Sequence, residues 1–111
     1  MPDKIETEFI ENFLVVWNPE KGSELYKLGF YGKPVGIPKP KVSDFNVPLI
    51  LDLMEGLYLL ERELITILEG PKKAEVSFEK LRKRARRLYD EFDLKYAVYR
   101  DLRDSGLIVT P

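Results

Sequence analysis

One apolar run, VPLILDLMEGLYLLE at residues 47–61, constrains the fold most, because a stretch this long and this hydrophobic has to lie in the core. Asp52 and Glu55 stand three residues apart inside the run. This is the spacing of a capping box, in which the Asp carboxylate accepts from the helix backbone and the Glu side chain reaches back to the cap. We therefore predict a short strand over 47–51 and a helix over Leu53–Glu61. A single helix through the whole run is the competing interpretation.

Apolar spacing and turn residues predict the elements on either side of this run. They are a strand over 13–17, a short helix Glu24–Leu28 capped by Ser23 and ended by Gly29, a strand Leu64–Leu68, a helix from Phe78 to about Asp90 capped by Ser77, a helix from Asp93 ended by Gly106, and a strand that begins with Leu107–Val109. Residues Met1–Glu11 are polar and acidic, and we expect them to be loosely ordered until about Phe9. The sequence predicts an α+β fold, with three helices and a short, mostly antiparallel sheet followed by an extra helix and strand.

Three smaller features concern packing. Gly56 lies inside the central helix, where glycine costs about 1 kcal/mol relative to alanine, so we expect it to mark a close contact. The prolines between residues 34 and 41 favour a rigid surface loop, with a polyproline II ligand for another domain as the alternative. The predicted inner faces of the last two helices are Phe78, Leu81, Ala85, Leu88 and Phe92, and then Leu94, Ala97, Val98 and Leu102.

Composition excludes several classes of function. The 111 residues suffice for one domain, or for one domain plus a piece of another, and a net charge of -1 excludes a polybasic nucleic-acid binder as a whole. The chain has no Cys and no His, so thiolate sites and the commonest general base and metal ligand are missing. We therefore predict no catalytic residue, metal or cofactor. The acidic start of the chain predicts no signal peptide, and no apolar run is near the roughly 20 residues of a membrane span. We therefore expect a cytoplasmic protein without membrane contact.

Cations crowd the predicted helix that follows Ser77. Six of them fall within eight residues, away from the apolar stripe: Lys80, Arg82, Lys83, Arg84, Arg86 and Arg87. Their functional interpretation is binding to RNA phosphates, since each neutralised phosphate releases counterions. The alternative is a solvated helix surface with pairs such as Glu79–Lys83 and Arg86–Asp90 at i,i+4.

Aromatic and basic residues are interleaved in the last predicted helix. Tyr96 and Tyr99 flank Arg100 and Arg103, a mixture that would stack on unpaired bases and bind their phosphates. The alternative is packing, because tyrosines on an amphipathic helix are often partly buried with the hydroxyl at the surface. Arg100 and Arg103 join the six earlier cations as candidate RNA-binding residues.

Three stretches in a fixed order carry a family resemblance. They are YGK at 31–33, LMEGLYLLE at 53–61 and FDLKYAVYRDLRDSGLIV at 92–109. Together they resemble the archaeal tRNA-splicing (tRNA-intron) endonucleases, in which a Y-G element precedes a strand and an L-x-E-A-L-Y-L-L helix, and a Y-x-V-Y-x-D-L-R-x-R-G helix and strand follow. The resemblance extends from about Leu25 to the end of the chain. Gly56 in place of Ala and Ser105 in place of Arg are small departures.

The resemblance implies a division of the chain. Residues 1–92 would be the small N-terminal α+β domain of the endonuclease, and residues 93–111 the opening helix and strand of a truncated nuclease-fold catalytic domain. Members of the family cut pre-tRNA at bulge–helix–bulge sites. They use a Tyr, His and Lys triad without metal and leave a 2′,3′-cyclic phosphate and a 5′-hydroxyl. The triad positions lie downstream of residue 111, so no catalytic residue is carried over to this sequence.

The resemblance implies one function, and the sequence leaves two alternatives open. We expect a non-catalytic part of a tRNA-splicing endonuclease, inert alone and active with its own C-terminal half or with a catalytic subunit in a homo- or hetero-oligomer. The alternative is a complete, non-catalytic structural or RNA-binding assembly subunit. A protein-interaction module that uses the proline-rich connector is the third interpretation.

Overall fold

The computed structural model describes residues 4–37 and 44–109. The predicted α+β class is confirmed, and the described residues form six strands and four helices. The strands are β1 (Ile5–Ile10), β2 (Phe13–Val16), β3 (Lys33–Pro34), β4 (Leu49–Leu51), β5 (Ile65–Glu69) and β6 (Ala74–Glu75). The helices are α1 (Pro19–Gly29), α2 (Leu53–Glu61), α3 (Phe78–Leu88) and α4 (Phe92–Asp104).

The six strands form one mixed sheet in the order β3-β4-β2-β1-β5-β6. Only β1 and β5 are paired in parallel among the described strands, so the sheet is mostly antiparallel as predicted. The register of β2 on β4 places Leu14 opposite Leu51 and Val16 opposite Leu49, and all four side chains are fully buried. One face of the sheet therefore forms the floor of the core.

The central run divides where the capping box predicts. The Asp52 carboxylate accepts from the backbone N–H of Met54 at 2.8 Å, and the Glu55 carboxylate accepts from the N–H of Asp52 at 3.0 Å. β4 ends and α2 begins at this cap, so the single-helix interpretation is wrong. α2 then lies across the sheet and contacts both α3 and α4, and seven of its nine residues are buried.

Gly56 marks a close contact, as expected, and the partner is a strand. A Cβ built on Gly56 would overlap Cδ1 of Leu14 on β2. Glycine at this position lets α2 approach the sheet closely, which offsets its low helix propensity.

The N-terminal segment is a strand, and the expectation of loose ordering until Phe9 is wrong. In β1, Ile5, Thr7 and Phe9 are buried while the residues between them are more exposed. The strand pairs with both β2 and β5. The period-two alternation was visible in the sequence, but the intervening glutamates made the segment look like a polar terminus.

Helix α1 is longer than predicted and has a different cap. Its N-cap is Asn18, whose side chain accepts from the N–H groups of Glu20 and Lys21, and Pro19 occupies the first turn. The predicted cap Ser23 is instead buried, where its hydroxyl bonds the backbone of Phe45. Proline in the first turn is a valid start signal, and the helix begins there, before the predicted start at Glu24.

Helix α3 begins as predicted and ends slightly early. The Ser77 hydroxyl accepts from the N–H of Lys80 at 3.2 Å. Leu81 and Ala85 are fully buried, but Leu88, predicted on the inner face, is 46% exposed because the helix stops there and the chain turns.

Helix α4 packs on this core through a different face from the predicted one. Its buried residues are Phe92, Tyr96, Tyr99 and Arg103, whereas Leu94 and Val98 are exposed. Packing is confirmed for the two tyrosines.

Two predictions remain, one for the last strand and one for the proline-rich connector. The segment Leu107–Val109 was predicted as a strand and pairs with no described strand. Lys33–Pro34 is a short edge strand, where proline is tolerated. Residues 38–41 of the proline-rich connector lie outside the described part of the chain.

Candidate functional site

Helix α3 carries six of the eight candidate RNA-binding residues. Its buried side rests on α2, so the cations occupy the flanks and the outer side of the helix. They divide into two groups that are paired with acidic residues and one exposed pair. The two acid-paired groups bind acidic residues from different elements.

The first group lies beside β5. Arg84 donates both terminal nitrogens to the Glu69 carboxylate, one of them at 2.8 Å, and its guanidinium lies 4.7 Å from the centroid of the Phe9 ring. Lys80 Nζ is 3.8 Å from the same carboxylate. The bonds from Arg84 lower the pKa of Glu69, which keeps the acid ionised. Glu69 thus partly neutralises both cations.

The second group joins α3 to the start of α4. Arg86 Nε donates to one Asp93 oxygen at 2.9 Å, and Arg82 Nε donates to the other at 3.1 Å. These bonds, that of Arg86 above all, lower the pKa of Asp93. Arg82 also lies 3.5 Å from Glu79. Acidic partners were expected, but for Arg86 the partner is Asp93 and not Asp90.

Lys83 and Arg87 differ from the other cations of α3. Both are exposed, and neither forms an ion pair within 4.0 Å in residues 4–37 and 44–109. They are four residues apart, so their side chains are neighbours on one side of the helix. Within α3, these two cations have the charge and the access that a phosphate contact needs.

Arg100 and Arg103 of α4 differ in burial and in their partners. Arg100 is partly exposed and lies 3.4 Å from Glu61, which also accepts from the Tyr96 hydroxyl at 2.7 Å. Arg103 is buried at 7% exposure. Its guanidinium donates to the carbonyl oxygens of Gly29 at 2.6 Å and Val109 at 2.9 Å. Those bonds hold Arg103 inside the protein.

The three stretches that carry the family resemblance meet around Arg103. Its guanidinium lies 4.2 Å from the centroid of the Tyr31 ring, and its Nε is 3.2 Å from the hydroxyl of Tyr99. Tyr58 of α2 lies between those rings, with centroid distances of 6.2 Å to Tyr31 and 5.8 Å to Tyr99. The aromatic cluster packs α4 against α2 and against the loop before β3.

Glu55 makes the second link between these stretches. Its carboxylate accepts from the backbone N–H of Gly32 at 2.8 Å as well as from the N–H of Asp52. Burial raises the pKa of Glu55, while these two bonds and the nearby Arg103 charge act in the opposite direction. Sequence reasoning assigned Glu55 only to the helix cap. The available signal was a charged side chain inside an otherwise apolar helix. A carboxylate buried there needs further hydrogen-bond donors besides the helix cap.

Comparison with known protein families places the chain in one of them. The model of the tRNA intron endonuclease N-terminal domain matches residues 5–82, from β1 into α3. The chain belongs to this family. The resemblance drawn from the three stretches is thereby confirmed.

Curated relatives of this tRNA intron endonuclease domain share its sequence over most of its length. A tRNA-splicing endonuclease of Hyperthermus butylicus is 50% identical over 97 residues, which cover 86% of this chain and 52% of the relative. Those of Sulfurisphaera tokodaii and Sulfolobus acidocaldarius are 36% and 38% identical, covering 92% and 95% of this chain and 56% and 58% of the relative. The chain therefore spans slightly more than half the length of the curated relatives it matches.

Two further observations concern the described part of the chain. Residues 4–37 and 44–109 contain no group of three or more acidic, His or Cys side chains placed to hold a metal ion. None of their helices has both the length and the hydrophobicity to cross a membrane.

Proposed function

We propose that this chain is the non-catalytic N-terminal part of a tRNA-splicing endonuclease that removes introns from pre-tRNA at bulge–helix–bulge sites. The observation that carries the proposal is the match of the tRNA intron endonuclease N-terminal domain over residues 5–82, joined to relatives named as tRNA-splicing endonucleases. Processing of tRNA makes the cytoplasm its place of action.

The chemistry is assigned to a part of the enzyme outside these 111 residues. The family resemblance implies a Tyr, His and Lys triad, and the 111 residues contain no His. The chain therefore works with a catalytic partner, which is either its own C-terminal half or a separate catalytic subunit within an oligomer. Its contribution is to position that partner, and RNA, on a rigid α+β core.

The direct RNA contact is assigned to α3. Of the eight candidate residues, Lys83 and Arg87 are exposed without an acidic partner in the described residues, and they are the first choice. The acid-paired cations Lys80, Arg82, Arg84 and Arg86, together with Arg100, would have to exchange a carboxylate for a phosphate, and Arg103 is buried. The proposed RNA contact therefore involves only two of the six candidate cations of α3.

A cleavage assay tests the proposal. The purified chain should not cut a pre-tRNA that contains a bulge–helix–bulge. Mixed with the separately produced remainder of the Hyperthermus butylicus relative, it should raise specific cleavage above that of the remainder alone, with 2′,3′-cyclic phosphate ends. Cutting by the chain alone would refute the assignment of the chemistry, and a mixture no more active than the remainder would refute the partnership.

A further inference from the structure

Two neighbouring cations of α3, Lys83 and Arg87, have no acidic partner in residues 4–37 and 44–109. The other four cations of the helix are paired with Glu69 or Asp93. Like charges four residues apart repel each other on a helix and destabilise it. A bound anion relieves this repulsion, so the pair is suited to a ligand that carries closely spaced negative charges.

The pair stands on a rigid support. The inner side of α3 is fixed by Leu81 and Ala85, which are fully buried, and the Ser77 hydroxyl caps its first turn. The backbone positions of Lys83 and Arg87 are therefore set before any ligand binds. A ligand whose own charges are held at fixed spacing loses the least conformational entropy when it meets such a surface.

The surroundings of the pair offer no stacking platform for an unpaired base. Phe78 and Tyr89, the aromatic residues that border α3, are partly buried and packed against the core. The exposed aromatic side chains of the described residues, Trp17 and Phe30, follow β2 and end α1. Proteins that hold single-stranded RNA rely on aromatic side chains that stack on its bases. The outer side of α3 therefore presents charge without base recognition.

We propose that Lys83 and Arg87 bind the sugar–phosphate backbone of a double-stranded arm of the pre-tRNA, and that α3 makes no contact with the unpaired nucleotides of the bulges. The inference rests on the proposed function and specifies which part of the RNA this helix meets. Double-stranded RNA is recognised mostly through its shape and its phosphates. Each phosphate neutralised on a duplex also releases more counterions than one on a single strand.

A titration against three RNAs tests the assignment. The 111-residue chain is titrated at low salt against a bulge-free RNA duplex, against the same duplex interrupted by a bulge–helix–bulge, and against a single strand of equal length that cannot pair with itself. The test variant is Lys83→Ala with Arg87→Ala, and the control is Lys33→Ala with Lys72→Ala. All four side chains are exposed and form no ion pair in the described part of the chain. Thermal unfolding of both variants checks that the fold is intact.

The expected result is a preference for double-stranded RNA. The original chain should bind the two duplexes with Kd values within about twofold of each other, and the single strand at least about fivefold more weakly. On the bulge-free duplex, the test variant should lower the slope of log K against log salt by about 2, while the control keeps the slope of the original chain.

Several results would overturn the inference. Equal or tighter binding of the single strand, or a clear preference for the bulged duplex, would refute the duplex contact and leave RNA binding by α3 standing. An unchanged slope in the test variant, or no binding of any RNA by the original chain, would remove Lys83 and Arg87 from the RNA interface. A test variant that lost affinity for the remainder of the Hyperthermus butylicus relative, but not for the duplex, would show that the pair binds protein. The cleavage assay uses no substitution in α3, so the partnership with a catalytic part is judged separately.

Discussion

The guanidinium of Arg103, near the end of α4, lies 4.2 Å from the centroid of the Tyr31 ring, which precedes β3. The same guanidinium donates to the carbonyl oxygens of Gly29 and Val109. Arg103 therefore ties together the end of α1, the loop after it, α4 and the segment that follows α4. A buried cation with satisfied donors fixes these four pieces in one geometry.

We expect substitution of Arg103 to destabilise the fold. Arg103→Ala removes three hydrogen bonds of a buried charged group and leaves two carbonyl oxygens without their donor, which should lower the free energy of unfolding by about 2–4 kcal/mol. Arg103→Lys should recover little, because an ammonium group cannot reach the separated acceptors of the guanidinium. Chemical denaturation measures both. Arg100→Ala, at a partly exposed pair with Glu61, should cost under about 1 kcal/mol, and an equal loss at both arginines would contradict the argument.

Gly56→Ala should also destabilise the protein, against the usual trend. In an ordinary helix this change stabilises by about 1 kcal/mol. Here the added methyl group would overlap Leu14, and the expected result is a loss of about 1–3 kcal/mol in urea denaturation. Combining Gly56→Ala with Leu14→Ala separates the causes, because the alanine at 56 should cost less once Leu14 is shortened. A more stable single variant would show that α2 does not need its close approach to β2.

The raised pKa of Glu55 predicts a pH dependence. The folded state binds this proton more tightly than the unfolded chain, whose carboxyl titrates near 4.5. The contribution to stability is therefore fully present below pH 4.5 and is lost as the pH rises through the higher folded pKa. Glu55→Gln stays neutral at every pH. The unfolding free energy of the original chain minus that of the variant should therefore fall as the pH rises from about 4.5 through the raised folded pKa, and a difference that rises with pH would contradict this prediction.

Local signals were strong enough to predict the centre of the fold. The capping box located the boundary between β4 and α2, and Ser77 located the start of α3, because each cap satisfies backbone groups within a few residues of itself. β1 was missed for the opposite reason. Its alternating residues are separated by glutamates, and its position inside the sheet depends on pairing with β5, which lies far along the chain.

The candidate site shows the same division between local and long-range information. The cations of α3 were evident from the sequence, but their acidic partners Glu69 and Asp93 come from β5 and α4. The sequence of α4 shows two apolar stripes, and periodicity alone does not decide which one the domain itself covers. Tyr96 and Tyr99 occupy the buried face, where Tyr96 stacks on Phe92 and Tyr99 packs at a tilt against Tyr58.

Replacement of Lys83 and Arg87 by alanine should weaken binding to pre-tRNA without loss of stability. Both side chains are exposed and neither forms an ion pair in the described residues. If each contacts one phosphate, the slope of log K against log salt should fall by about 1 per cation, and binding should weaken similarly for different RNA sequences. Fluorescence titrations at several salt concentrations measure the slope. Lys33→Ala with Lys72→Ala, two exposed cations away from α3 that likewise form no ion pair in the described residues, is the matched control. An equal change of slope in both double variants would mean that RNA responds to net charge alone, and no change in the first would remove α3 from the RNA interface.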